Sequence, residues 1–266
     1  MSQRLSAIVT VAFGGPVEHL DHTFTSFAIN HGVPLHAFII GKELPKRQMP
    51  EVKYHLVEPV PDFSDPRREL WYRRFLLLDE LEVDFALLVD PSDVLCLQTL
   101  PPFEQLLGDA HVAACVEHLG GRYMLGQGYT ANFLNGGVTL WDVRRTRDIR
   151  TEIIARGQPH YRTVGDEQFC FNEIVQTKYY DRLRILPCQY NYRAYLNKKR
   201  RGWPTVEHLD GVMLYHNSAC TDEAKKILPV KPRAALPPLP PDGRWLTPRE
   251  QFWRRVQNRL KPWVVK

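Results

Sequence analysis

The chain has 266 residues, with 35 Lys+Arg against 30 Asp+Glu, a net formal charge of +5. That length suits one large α/β domain or two small ones, and 44% hydrophobic with 24% charged residues excludes a disordered or fibrous chain. No apolar run approaches the roughly 20 residues of a spanning helix, which argues against an integral membrane protein.

The charge is uneven. Residues 229–266 hold nine basic side chains and two acidic ones, a local +7, so residues 1–228 sum to −2. A near-neutral body is not a generic polyanion binder. Cysteines 96, 115, 170, 188 and 220 are odd in number and widely spaced, which opposes a zinc ribbon or a disulfide scaffold. Buried free thiols and a reducing, cytoplasmic compartment fit this usage.

Ser6 to Phe13 is β-branched and apolar and runs into Gly14-Gly15-Pro16, which reads as a first buried strand rather than a cleaved signal. Residues 17–31 form a candidate helix. Leu35 to Ile40 and Lys53 to Val57 read as strands, and Pro59 to Pro66 as a loop. Over residues 67–82 the apolar spacing predicts a helix that carries Arg74 near its apolar stripe. Phe85 to Val89, His111 to Val116, Phe133 to Val143 and Val212 to His216 read as strands, and Gln168 to Val175 as a helix. Strands alternating with helices predict an α/β domain with a mostly parallel central sheet. From Pro229 the composition changes. Pro237-Pro238-Leu239-Pro240-Pro241 reads as a stiff linker, and Thr247-Pro248-Arg249-Glu250 as the start of a helix to about Leu260. The expected division is a body, 1–228, and a Pro-linked basic tail, 229–266.

The segment Leu87 to Val94 delivers two carboxylates, Asp90 and Asp93, to the carboxyl edge of the sheet, where open α/β sheets bind ligands. Paired carboxylates hold a hard divalent cation, and such a cation neutralises a diphosphate. The alternative is that Asp90 ends the strand and Asp93 caps a turn. Three later segments bear on the choice. Phe133 to Trp141 sets an amide before two glycines and a strand. Gly165 to Asn172 sets two acids and an amide at a helix start. Leu214-Tyr215-His216 ends a strand in histidine. Arg74 has its own alternative, an ion pair with Asp79, Glu80 or another acid.

The order of these segments resembles the glycosyltransferase family 8 group, retaining enzymes of the GT-A fold that use nucleotide-sugars. The matching stretches are Ile8–Phe13, Tyr72-Arg73-Arg74-Phe75, Asp90 to Asp93, Phe133 to Val138, Asp166 to Asn172, Tyr190-Asn191-Tyr192 and Leu214-Tyr215-His216, spanning residues 5–217. Two departures stand out. Two residues, not one, separate the metal-motif aspartates, and the Gly-Pro-x-Lys-Pro-Trp run that often follows the family's histidine is absent. Lys225 or Lys226 is the candidate substitute.

The resemblance implies a Rossmann-like GT-A body and transfer of a hexose from a UDP-sugar to a glycan, lipid-linked glycan or other hydroxyl acceptor with retention. It makes Asp90, Asp93 and His216 ligands for Mn2+ or Mg2+ on the donor diphosphate. Arg74 would pair with phosphate or with an acid of the 166–168 segment. Asn135, with Gly136 and Gly137, would hold sugar hydroxyls. Asp166, Glu167 or Gln168 would face the sugar, with the register of this element open, and Ala12 and Phe13 would lie by the base. Two rival readings stay in play. The basic run Lys198-Lys199-Arg200-Arg201 and the tail would suit a nucleic-acid acceptor, and the altered motifs would suit a non-catalytic nucleotide-sugar-binding or scaffold protein. The aromatic basic segment 244–266 would dock on an anionic membrane face or fold back on the body.

Overall fold

A computed structural model describes residues 4–14, 20–60, 66–92, 94–122, 130–158, 167–193 and 211–216. Asp93, Asp166, the 198–201 run, Lys225, Lys226 and the whole 229–266 tail lie outside the described residues.

Seven strands form the main sheet in the order β3-β2-β1-β4-β7-β6-β8. They are β1 (Ser6–Ala12), β2 (Leu35–Ile40), β3 (Val52–Val57), β4 (Phe85–Val89), β6 (Val112–Arg122), β7 (Thr130–Asp142) and β8 (Leu183–Leu186). The short β5 (Val94–Cys96) pairs instead with β9 (Leu214–His216), antiparallel. In the main sheet, β1 pairs parallel with β2 and β4, β2 with β3, and β6 with β8. Only β7 runs against its neighbours, β4 and β6. The sheet is therefore mostly parallel, as the alternation of elements predicts.

Alternation along the strands sorts apolar side chains onto two faces. Val9 and Val11 of β1, with Phe38, Trp141 and Phe171, form one core. The helices α2 (Pro66–Leu76), α4 (Arg147–Gly157) and α5 (Glu167–Thr177) cover it. Ile8 and Ala12 of β1, with Leu87 and Leu140, form the other, under α1 (Leu20–Asn30), α3 (Phe103–Leu107) and β5. A sheet buried on both faces explains why β1, β2 and β4 read as continuous apolar runs.

The differences from expectation lie at short or atypical elements. The helix expected over 67–82 is α2 followed by a 3-10 turn, Leu77–Glu80. The strands β5 and β8 and the helices α3 and α4 were not anticipated. Cys96, Cys115 and Cys170 are buried free thiols, as expected, and Cys188 is half-buried. Burial pushes the Cys170 thiol up to about 11, against a lesser opposing pull from the Tyr72 hydroxyl. Among the described residues, no helix is long and apolar enough to cross a membrane.

Candidate active site

The candidate residues meet at the carboxyl edge of β4, where the direction of pairing changes from parallel to antiparallel. Val89 of β4 lies opposite Val138 of β7. Just beyond, Asp90 N–H donates to Gly137 O at 2.8 Å. This pairing brings the glycine pair of β7 against the aspartate that ends β4. A Cβ on Gly137 would overlap Asp90 Oδ2 and stand 2.5 Å from His216 Cε1, while one on Gly136 would stand 2.7 Å from an Arg74 nitrogen. Four side chains converge on the two glycines, Arg74, Asp90, Gln168 and His216, and leave no room for a Cβ.

Arg74, on α2, is the hub. It is buried, and its terminal nitrogens donate to Asp90 Oδ1 at 3.2 Å, Gly136 O at 2.8 Å and Glu167 Oε1 at 2.5 Å. It is thus an ion-pair partner, but of the site's acids. Asp79, the alternative partner, pairs with Arg150 and Arg147. The guanidinium spreads its donors over separate nitrogens in a planar fork, whereas an ammonium gathers all of its donors on one atom.

His216 reaches the site on the β5–β9 pair, opposite Val94. Its Nε2 lies 3.5 Å from Asp90 Oδ2, and its Nδ1 is 2.9 Å from Asn191 Oδ1. Burial opposes ionisation of Asp90. The hydrogen bond and charge of His216, then Arg74 and Arg193, overcome it and hold the carboxyl at about 2. Asp90 is therefore a carboxylate at neutral pH, poised among cations.

At the start of α5, Glu167 sits in the first turn and binds Arg74, and Gln168 Oε1 accepts the Gly136 N–H at 2.9 Å. Asn172, one turn on, takes both the N–H and the C=O of Leu134, at 2.6 and 2.9 Å. It docks α5 on β7 as a neighbouring strand would. Asn135 is buried. Its Oδ1 accepts from Gly137 N–H and from Asn191, and its Nδ2 donates to Glu117. Phe13, just past the end of β1, borders a cavity of about 660 Å³ whose lining includes Ile39, Leu44, Met49 and Tyr54, while Ala12 is buried and does not line it.

The structure therefore gathers Arg74, Asp90, Asn135, Gly136, Gly137, Glu167, Gln168 and His216 in one place. Three participants carry no role in the sequence reading. Glu117 on β6 accepts from Asn135 and Gln168. Asn191 joins Asn135 to His216. Arg193 faces Glu117 at 3.9 Å. The available signals were a charge directly after the apolar run of β6 and the polar members of Tyr190-Asn191-Tyr192-Arg193.

Asp90 and His216 fit a divalent cation as a pair of ligands. A carboxylate and an imidazole nitrogen stand side by side, and the imidazole's other nitrogen is held by an amide. Among the described residues, no third His, Cys, Asp or Glu completes a cluster. A cation bound with a diphosphate takes its remaining ligands from phosphate oxygens and water.

No protein-family profile matches the chain, and no curated protein matches it by sequence. Solved structures do match. The galactosyltransferase LgtC, in complex with donor and acceptor sugar analogs, superposes with a TM-score of 0.62 at 17% identity, over 89% of this chain and 98% of that one. An active-site Gln-to-Glu mutant of LgtC gives a TM-score of 0.59 over the same shares. The bifunctional glycosyltransferase WbbM gives 0.51 at 13% identity, over 72% of this chain and 40% of that one. With the sheet order and flanking helices above, these matches define the fold: the chain has the GT-A architecture of glycosyltransferases.

Proposed function

We propose that the chain is a glycosyltransferase of the family 8 type, which moves a hexose from a UDP-sugar to a hydroxyl acceptor with retention. The observation that carries this reading is the convergence of Asp90, His216, Arg74 and Glu167 on the glycine pair, at the carboxyl edge of a GT-A sheet. Asp90, Asp93 and His216 would hold Mn2+ or Mg2+. The cation, when bound, supplies charge stabilisation to the leaving diphosphate.

The chain's own residues do the rest. Arg74 orients Asp90 and Glu167 from a buried position, where a fixed charge acts strongly. Gly136 and Gly137 leave room for donor atoms to approach the backbone. Asp166, Glu167 or Gln168 faces the sugar. The cavity beside Phe13, on the same edge of the sheet, supports placing the nucleotide base there, with Phe13 against it. Residues 1–228 form the catalytic body in this reading, and 229–266 its tail.

The test is release of UDP from a panel of UDP-sugars with Mn2+ present, in wild type and in Asp90→Ala. Release by wild type, lost in the variant, is the expected result. Absence of both UDP binding and release, with the variant indistinguishable from wild type, overturns the reading. Tight UDP binding without turnover over many acceptors identifies a binding protein on this fold instead.

A further inference from the structure

We propose that Arg193 makes the site selective for an acidic sugar: its guanidinium receives a carboxylate or phosphate carried by the acceptor or by the sugar being transferred. The proposal rests on the glycosyl-transfer reading above for the ligand being a sugar, and on geometry for its charge.

Arg193 springs from a fixed stretch of backbone. Its neighbour Tyr192 is buried, donates its N–H to Leu214 O at 2.8 Å and accepts the His216 N–H at 3.0 Å. The Arg193 side chain nevertheless keeps 23% of its surface exposed, so it stands at the open side of the site. Its Nη1 lies 3.9 Å from Glu117 Oε1, an ion pair too long for a hydrogen bond. Glu117 is served without it, since Oε2 accepts from Gln168 Nε2 at 2.8 Å and from Asn135 Nδ2 at 3.1 Å. The two arginines of the site therefore differ. Arg74 is buried and donates to three acceptors, whereas among the described residues the Arg193 guanidinium has no hydrogen-bond acceptor. Glu117 orients one nitrogen of the fork, and the other two suit two-point pairing with a carboxylate or phosphate.

The strand order decides which part of a ligand meets Arg193. Along the sheet the cavity beside Phe13 belongs to the β3-β2-β1 side, Asp90 follows β4, the glycine pair lies on β7 and Glu117 on β6. Two strand spacings set β6 about 10 Å from β4, on the side away from the cavity. With the base in the cavity and the diphosphate at Asp90, the group that reaches Arg193 belongs to the sugar end of the ligand. A guanidinium gains little by exchanging water for a neutral hydroxyl. It gains more from a charged partner, because that hydrogen bond is roughly twice as strong. Arg193 therefore separates acidic sugars from neutral ones.

The experiment measures binding to the full chain in two arms. In the first, with UDP present, methyl glucuronide and glucose 6-phosphate are titrated against methyl glucoside. In the second, UDP-glucuronate competes with UDP-glucose. Wild type is expected to favour the acidic probe by about ten- to a hundredfold in one arm. Preference in the first arm places the anion on the acceptor, and preference in the second places it on the transferred sugar. Arg193→Met is expected to remove the preference by weakening the acidic probe alone. Arg193→Lys, which keeps the charge without the fork, is expected to retain part of it, and it serves as the reading if the Met variant does not fold. Equal affinity for acidic and neutral probes in both arms, or a preference that survives in Arg193→Met, overturns the proposal. If wild type neither binds nor releases UDP, the transfer reading fails, and the free sugars alone decide the role of Arg193.

Discussion

Replacing Arg74 with Met removes the hub of the site while keeping most of its volume. Arg74 is 4% exposed and Glu167 is 5% exposed, so the 2.5 Å pair between them has little solvent to fall back on. Removing one partner of such a buried pair costs about 3–5 kcal/mol, because the remaining charge keeps its desolvation penalty. The lost donor to Gly136 O adds about 1 kcal/mol. Asp90 adds less, since its side chain is 30% exposed and His216 stays within 3.5 Å. We expect a loss of about 4 kcal/mol, a large share of the roughly 5–15 kcal/mol that holds a domain together. Urea unfolding followed by fluorescence, with buried Trp141 among the reporters, measures it as a fall in midpoint at constant slope. Glu167→Gln in the Arg74→Met background should restore part of the loss, with a coupling of about 0.5–3 kcal/mol. Arg74→Lys should fall between wild type and Met, since it keeps the charge but gathers its donors on one atom where Arg74 uses two nitrogens. A loss below about 1 kcal/mol for Arg74→Met, or strict additivity with Glu167→Gln, would refute the claim that Arg74 holds these acids in place.

Three further outcomes are expected. Gly137→Ala puts a Cβ into Asp90 and His216, and His216 is 1% exposed with its ring held by Asn191, so Mn2+ affinity should fall at least about tenfold by titration; wild-type affinity would show that the strand absorbs the methyl group. Gly157→Ala, at the end of α4, drives a Cβ into the ring of buried Tyr72 and should cost about 1–3 kcal/mol of stability, read as a fall in urea midpoint. Burial, then the charges of His55 and Lys53, hold His36 down to about 4, so the unfolded chain takes up the proton first as pH falls. The stability this residue contributes is complete above about pH 6.5 and is lost progressively towards pH 4, by on the order of 3 kcal/mol. His36→Gln should flatten that part of the profile, and an unchanged slope in urea midpoints between pH 7.5 and 4.5 would contradict the assignment.

Local pattern carried much of the fold, and its failures have identifiable causes. The strands β1, β2 and β4 are legible because they are buried on both faces and apolar throughout. The helix α4 is not, because Arg150 occupies its buried side. That arginine is fully buried among Val143 O, Thr146 Oγ1 and Asp79, and its charge masks the Ile149–Ile153 stripe. The strand β8 is an edge strand of four residues, Leu-Arg-Ile-Leu, with only Leu186 buried, too short for its apolar residues to show a strand period. In the site, Arg74 stood out because a charge beside an apolar stripe needs a partner. Glu117 and Asn191 did not, because a single polar residue in a strand or turn looks like any solvent-facing one. Their significance arises only when β6, β7 and the 191–193 segment meet.

The position of His216 shows what kind of information the sequence withholds. β5 and β9 are three residues each, and a slip of one residue would set Tyr215 opposite Val94 and turn the imidazole to the other face. Two three-residue strands cannot fix their register alone. It is pinned from outside, by Leu97 N–H on Met213 O at 2.9 Å, Met213 N–H on Gln189 O at 2.9 Å, Tyr192 N–H on Leu214 O at 2.8 Å and His216 N–H on Tyr192 O at 3.0 Å. The segment from Gln189 to Tyr192, a 3-10 turn that ends in an isolated parallel bridge of Tyr192 to Tyr215, thus holds β9 in place and also supplies Asn191 to the ring. Backbone register and ring orientation of His216 therefore depend on the same four residues. A change there moves the imidazole relative to Asp90 without touching either side chain, so the spacing between Asp90 and His216 is a property of this small sheet rather than of the seven-stranded one.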